Sequence, residues 1–538
     1  MANDRQFHRR AVMGGAGALA LAAASEPAWA ARGKPVAATG PLAQTKGGQL
    51  RGIDQGVVKV FKGVPYGAST AGVNRFMPPR PRQPWKGVRD AVAFGAISPQ
   101  PNFPILAELD GSMDHAVQGE DCLMLNVWTP ALDAKKRPVM VWFHGGGYAV
   151  GGGAAPWYDG SRLAERHDVV AVTVNHRLNA FGFLYLADLL GPAFADSGTV
   201  GMLDCVAALE WVRDNIAEFG GDPANVTIYG ESGGAGKVST LMGMPGAKGL
   251  FHRAIVESGA ALKHMPPALA TRSAKAVLDQ LGVGAKDAAK LQAMPPETIL
   301  AAMAAMKPPG PIGPVTDGRG IPTDPFDPAA PAVSAEVPML IGSNLTEATF
   351  FPDTPLEPID DATLLNRVKS YARIDEGASR ELIALYRSQD PTRDNTLVYQ
   401  LIASDYWMRA QVLQQAERKA AQGAAPVYVY QFNWMSPGHD GKLHCPHGSE
   451  IPFAMDNVDK AVVLLGDGPT RQPLADMMSA AWTAFARTGR PDTPALPHWP
   501  AYDTTQRAVM VFDNRSAVEL DPNGAQRAAI AAIKAKQG

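Results

Sequence analysis

The stretch Asn225-Val-Thr-Ile-Tyr-Gly-Glu-Ser-Gly-Gly-Ala-Gly236 constrains this chain more than any other. Val226 to Tyr229 is a β-branched and aromatic run broken only by Thr227, and it reads as a strand buried on both faces. Gly230 to Gly234 then follows the pattern G-x-S-x-G, and Lys237 to Met242 resumes with helix-compatible residues. Ser232 therefore falls in the turn between a strand and a helix. A nucleophile elbow needs that context: the tight turn lifts the serine oxygen above the sheet, and flanking glycines avoid clashes in a strained backbone. Ser232 is the candidate nucleophile. In a glycine-rich chain the pattern also fits an ordinary strand-to-helix turn, so support has to come from other segments. A nucleotide-binding Walker A loop fails at both ends, because Val238 follows Gly236-Lys237 and Glu231 stands five positions before Gly236.

With 538 residues, 46% hydrophobic and 19% charged, the chain can bury a large core as a soluble globular protein, and a net charge of -2 gives no footing for nucleic acid. No run reaches the 18 apolar residues of a membrane span; Val12 to Ala24 is shorter and mostly Ala and Gly. That segment follows Arg9-Arg10 and precedes Glu26-Pro27 and Ala28-Trp29-Ala30, the layout of a signal peptide. The expectation is a leader over 1–30 cleaved near Ala30, a flexible mature N-terminus over 31–45, and a single domain over 46–538. The product would be exported, periplasmic or secreted. Paired arginines favour the twin-arginine route over general secretion. Cys122, Cys205 and Cys445 allow at most one disulfide and match no zinc spacing.

Taken in order, Gln49 to Ile53 and Val57 to Phe61 read as a hairpin around Asp54-Gln55-Gly56, and a Pro-rich irregular stretch follows from Met77 to Trp85. Gly119 to Trp128 ends in a strand, Pro138 to Phe143 is a second, and His144-Gly-Gly-Gly147 comes directly after it. Consecutive glycines at a strand end are entropically costly, yet they let backbone N–H groups face a cavity, as an oxyanion hole demands. A flexible loop is the plainer reading, and Gly151 to Gly153 shows that this chain uses such runs. The order HGGG then G-x-S-x-G favours the oxyanion hole. Val169 to Val174, Arg253 to Glu257, Met339 to Ile341 and Val427 to Phe432 read as strands, and Met202 to Phe219, Ala270 to Leu281 and Thr298 to Met306 as helices. The alternation implies an α/β fold with a large, mostly parallel central sheet flanked by helices.

Phe61-Lys-Gly-Val-Pro-Tyr66, Arg75-Phe76, Pro84-Trp-Lys-Gly-Val-Arg-Asp90, Glu120-Asp-Cys-Leu-Met-Leu-Asn-Val127, His144-Gly-Gly-Gly147, Asn175-His-Arg-Leu178, Gly230-Glu-Ser-Gly-Gly234 and Leu250-Phe-His-Arg-Ala-Ile255 occur in one order. Together they resemble type-B carboxylesterases, the cholinesterase-like and para-nitrobenzyl-esterase-like α/β-hydrolases, from about residue 46 to about residue 515. The resemblance implies the α/β-hydrolase fold and a Ser-Glu-His triad in chain order. Its acid maps to Glu347 in Gly342-Ser-Asn-Leu-Thr-Glu347; Asp317, before Gly318, is the alternative on spacing and reads better as a turn aspartate. Its base maps to His447, followed by Gly448-Ser-Glu-Ile-Pro-Phe453, ahead of His444.

A metal cluster of His444, Cys445, His447 and Glu450 is the competing reading of that loop, but its spacing matches no familiar zinc site. The resemblance further implies oxyanion donors at Gly146, Gly147 and Gly233, supporting roles near the imidazole for Glu231 and Ser258, and structural ion pairs Arg75–Glu120 and Arg177–Asp204. Secreted animal members pair the Cys of the Glu-Asp-Cys motif with an earlier one; residues 94–100 hold none, so Cys122 is expected to be a free buried thiol. The implied activity is ester hydrolysis through an acyl-enzyme, with no cofactor and no metal. The substrate would be a small-molecule ester, bulky and natural or xenobiotic. Amidase or lactone hydrolase chemistry is the alternative. A non-catalytic binding module is the other class, disfavoured because the nucleophile and both oxyanion elements are present. A monomer is expected, and Tyr148, Phe350, Trp407 and Trp434 are candidate pocket aromatics.

Overall fold

Unbroken apolar runs such as Val139-Met-Val-Trp-Phe143 have no solvent-facing side, so they fold only as inner strands covered on both faces. The computed structural model describes residues 39–102, 116–285, 287–306 and 310–537, and the elements below lie in the unit Gly40–Gly538. The expected leader over 1–30 lies outside the described residues. The strands are β1 (Leu42–Thr45), β2 (Gly48–Arg51), β3 (Ile53–Asp54), β4 (Lys59–Pro65), β5 (Val88–Asp90), β6 (Met124–Thr129), β7 (Arg137–Phe143), β8 (Val170–Val174), β9 (Gly221–Glu231), β10 (Arg253–Glu257), β11 (Met339–Asn344), β12 (Val427–Phe432), β13 (Ala508–Phe512) and β14 (Ala517–Leu520).

Eleven of them form one sheet in the order β14-β13-β12-β11-β10-β9-β7-β8-β6-β4-β3. From β13 to β8 every pairing is parallel, and the antiparallel pairings lie towards the two edges. This is the expected α/β architecture. The period-2 alternation of each strand divides two cores: Val139, Val141, Val226, Ile228, Val427 and Val429 pack on one face, and Met140, Trp142, Tyr229, Tyr428 and Tyr430 on the other. Among the described residues no helix is long and apolar enough to cross a membrane.

The N-terminal part differs from expectation. Leu42–Thr45, within the segment 31–45 expected to be flexible, is strand β1 and pairs antiparallel with β2. The expected hairpin is correspondingly short: only Ile53↔Val60 and Asp54↔Lys59 pair, while β2 joins β1 and β5 in a separate three-stranded sheet. β2 is paired with β1 on one side and β5 on the other, which takes up its backbone donors and acceptors, while Leu50 is fully buried in the core that Phe61 of β4 also enters. The ion pairs Arg75–Glu120 and Arg177–Asp204 form at 2.6 Å, the second almost wholly buried. All three cysteines are free and buried.

Candidate active site

Strands β12, β11, β10, β9 and β7 are contiguous and parallel, so their C-terminal ends share one edge of the sheet. Ligands of open α/β sheets bind at that edge. Ser232 follows β9, Ser258 follows β10, Glu347 comes three residues after β11, His447 lies in the loop after β12, and Gly146 and Gly147 follow β7. Segments scattered over some 300 residues thereby meet.

Ser232 has φ 57° and ψ -123°, a backbone that strains a non-glycine residue by roughly 1–3 kcal/mol. The strain is held by the Ser232 N–H donating to the Glu257 carbonyl at 2.9 Å and by the helix Gly233–Gly243, whose Gly236 N–H returns to the Ser232 carbonyl at 2.9 Å. The turn also presses against β7: a Cβ at Gly234 would stand 1.9 Å from the Phe143 carbonyl oxygen, so only glycine fits. A Cβ at Gly233 would lie 2.0 Å from the Gly147 oxygen, which puts the N-terminus of this helix against the His144–Gly147 turn. Gly146 and Gly147 have φ +82° and +64°, and among the described residues their N–H groups donate to no protein acceptor.

The Nδ1–H of His447 donates to Glu347 Oε2 at 2.6 Å, and the other Glu347 oxygen accepts the Asn344 N–H at 2.7 Å. Nδ1 thus carries the proton in the neutral ring, leaving Nε2 as the basic nitrogen. Nε2 has no hydrogen-bond partner among the described residues and stands 3.3 Å from Glu231 Oε1. Burial disfavours the imidazolium, but the charges of Glu231 and Glu347 and the bond to Glu347 outweigh it and raise the pKa to about 9. Burial also holds the Glu231 carboxyl well above its usual range, against the pull of His447. Ser258 donates to Glu450 Oε1 at 2.6 Å, and Asn344 Nδ2 donates to Glu450 Oε2. Burial and the Glu347 charge raise the Glu450 pKa to about 7.

Aromatic rings enclose the imidazole: Trp407 at 5.0 Å, Phe350 at 5.7 Å and Phe351 at 6.2 Å between centroids. Trp407 sits on a π-helical turn, Asp405–Arg409, a feature common at functional sites. It lines, with Ser232, Gly233, Tyr148, Leu262, Met408 and others, a cavity of about 910 Å³. Trp434 is a core residue instead. Asp317 accepts the N–H groups of Arg319 and Ile321, the turn aspartate of the sequence reading. Within His444–Glu450, Cys445 turns to the Phe432 carbonyl, His447 to Glu347 and Glu450 to Ser258, so these side chains point at separate partners.

Sequence reasoning passed over three contributors. Glu450 entered with a role only as a candidate metal ligand, Asn344 only as an unassigned position in the motif before Glu347, and Lys237 only as a helix-compatible residue beside Gly236, where Val238 and Glu231 rule out a Walker A loop. Lys237 is fully buried, and a cation inside the small-residue run Gly233-Gly-Ala-Gly-Lys237 was the available signal.

A serine in an elbow, a carboxylate-oriented imidazole and free N–H groups on one sheet edge define a serine hydrolase of the α/β-hydrolase fold. The chain belongs to the carboxylesterase family, whose sequence model matches residues 39–529. It is 34% identical to the para-nitrobenzyl esterase of Bacillus subtilis (strain 168), covering 91% of this chain and 98% of that one. It is 32% identical to the phenmedipham hydrolase of Pseudarthrobacter oxydans, covering 89% and 96%. The crystal structure of the Geobacillus stearothermophilus carboxylesterase EST55 superposes with a TM-score of 0.80 at 38% identity, covering 91% and 99%. The protein is a serine hydrolase acting on carboxylic esters.

Proposed function

We propose that Ser232 is the nucleophile, His447 the base and Glu347 its orienting acid. His447 Nε2 takes the Ser232 proton as Oγ attacks the ester carbonyl; Glu347 fixes the tautomer and stabilises the imidazolium. The N–H groups of Gly146, Gly147 and Gly233 receive the tetrahedral oxyanion, the alcohol leaves with the proton from Nε2, and water then cleaves the acyl-enzyme by the same steps. The observation that carries this reading is the 2.6 Å Glu347–His447 bond on the sheet edge that bears the strained Ser232. Glu231 and Ser258 support the imidazole, Glu231 by its charge and Ser258 through Glu450. The roomy, partly apolar cavity suits a bulky ester. The test is Ser232→Ala: kcat should fall on the order of 10⁶-fold with the fold intact, and an organophosphate should label only the parent. Near-normal hydrolysis by the folded variant would overturn the assignment.

We also propose that residues 1–30 direct export and are removed near Ala30, leaving a monomeric enzyme outside the cytoplasm. The supports are Arg9-Arg10, Ala28-Trp29-Ala30 and a family match that begins downstream, at residue 39. N-terminal sequencing of exported protein should start near Ala31; an uncleaved Met1 there would overturn it.

A further inference from the structure

Lys237 lies one turn into the nucleophile helix, has no exposed surface, and among the described residues makes no ion pair with a carboxylate. Its Nζ donates instead to two backbone carbonyls, His144 at 2.9 Å and Gly147 at 3.0 Å. These belong to the first and last peptide units of the glycine turn. The two units between them carry the N–H groups of Gly146 and Gly147. The remaining carbonyls are also engaged: Gly145 accepts from His144 Nδ1 at 2.9 Å, and Gly146 accepts the N–H groups of Ala149 and Val150 at 3.2 and 3.1 Å.

The N–H and C=O of a planar trans peptide point in opposite directions, so a turn whose carbonyls are all held has its N–H groups aimed as well. The glycines have no side chains with which to hold this conformation. Burying this amine is costly enough to pull its pKa from 10.5 down to about 7, a cost that an apolar residue of similar length would not carry. Stability therefore does not account for a lysine here.

We propose that Lys237 is the positioning residue of the oxyanion loop: its Nζ clamps the first and last carbonyls of His144–Gly147 and holds the N–H groups of Gly146 and Gly147 on the tetrahedral oxygen. This rests on the oxyanion reading given above. Nζ sits behind the turn and touches no reacting atom, so it acts through the loop. Burial pulls its pKa down to about 7, and Nζ keeps an N–H donor for each of the two carbonyls in either protonation state.

The test compares Lys237→Met and Lys237→Gln with the parent on a 4-nitrophenyl ester, together with inhibition by a trifluoromethyl ketone, whose adduct on Ser232 places an oxyanion in the hole. Lys237→Met should lose about 100-fold in kcat, the scale of one lost donor. KM should stay within about threefold, the ketone should weaken by a factor similar to the loss in kcat/KM, and Lys237→Gln, which keeps N–H donors, should recover part of each. A simple packing role would not separate kcat from KM or track the ketone. The proposal is overturned if folded Lys237→Met keeps kcat within about threefold of the parent, or loses kcat while binding the ketone as the parent does. If Lys237→Met does not fold, Lys237→Gln decides: reduced kcat with weakened ketone supports the clamp, and parental values overturn it. If the parent shows no Ser232-dependent ketone binding, the oxyanion reading itself fails.

Discussion

The Glu231 carboxyl stands 3.3 Å from His447 Nε2, on the side of the imidazole opposite the Glu347 bond, so the ring lies between two buried acids. The residue before the proposed nucleophile is thus electrostatically paired with the proposed base. The two titrate as a pair, and a protonated Glu231 withdraws one of the charges that raise the imidazole pKa.

A pH profile reads this pairing. The base works unprotonated, so kcat/KM should rise with pH, and the raised His447 pKa places that limb above the ordinary 6.5, towards about 9. Glu231→Gln removes a negative neighbour, so the limb should move to lower pH. A limb unmoved by the substitution would show that Glu231 is uncharged throughout the working range and that Glu347 alone raises the imidazole.

The two oxyanion glycines should differ in tolerance. A Cβ on Gly146 would lie 2.3 Å from the Val150 carbonyl oxygen, whereas one on Gly147 meets nothing closer than 4.0 Å. Gly146→Ala must displace the turn and should cost about 2.7 to 4 kcal/mol of transition-state stabilisation, read as a loss of kcat. Gly147→Ala bears only the positive-φ strain, about 1–2 kcal/mol, and should be the milder variant. Equal kcat in the two would place the donors elsewhere.

His447→Ala should lose nearly all activity. His444 has φ 54°, so Asn, which tolerates that backbone, is the fair replacement there, and His444→Asn should keep most of the rate. A chelator should leave the rate unchanged. An inactive His444→Asn beside an active His447→Ala, or inactivation by EDTA, would reverse the assignment.

Glu450 predicts how stability follows pH. Its carboxyl titrates from 4.5 to about 7 on folding, because it is buried beside Glu347. A raised folded pKa means that the native state holds the proton more tightly, so this contribution is complete below about pH 4.5 and is lost as pH rises through 7. Denaturation midpoints of the parent should carry that decline between about pH 4.5 and 7, and Glu450→Gln should flatten it. An unchanged slope would count against the shift.

Much of this site was readable because its parts are local. A strand, a glycine turn and a helix over Val226–Gly243 are specified by residue type within one short segment, and so is the glycine turn after β7. Boundaries were less legible: β2 leaves the expected hairpin because its pairing partners, β1 and β5, lie outside the segment that suggested it. Trp407 could be named as an aromatic, but its placement on the imidazole depends on a π-helical turn and on a strand order that no local pattern shows.

By itself the sequence determined the α/β alternation, the elbow around Ser232 and, through motif order, the residues to examine. Tertiary structure alone decided their relations. Glu347 meets His447 across 100 positions because β11 and β12 are parallel neighbours with their ends on one edge. The same closure puts Glu231 beside Nε2 and Lys237 beneath the turn after β7. Backbone preference and turn chemistry act over a few residues, whereas the charge environment of a buried group is set by whatever the fold packs against it. For that reason Lys237 reads in the chain as one more helical residue and in the structure as a buried amine binding the carbonyls of His144 and Gly147.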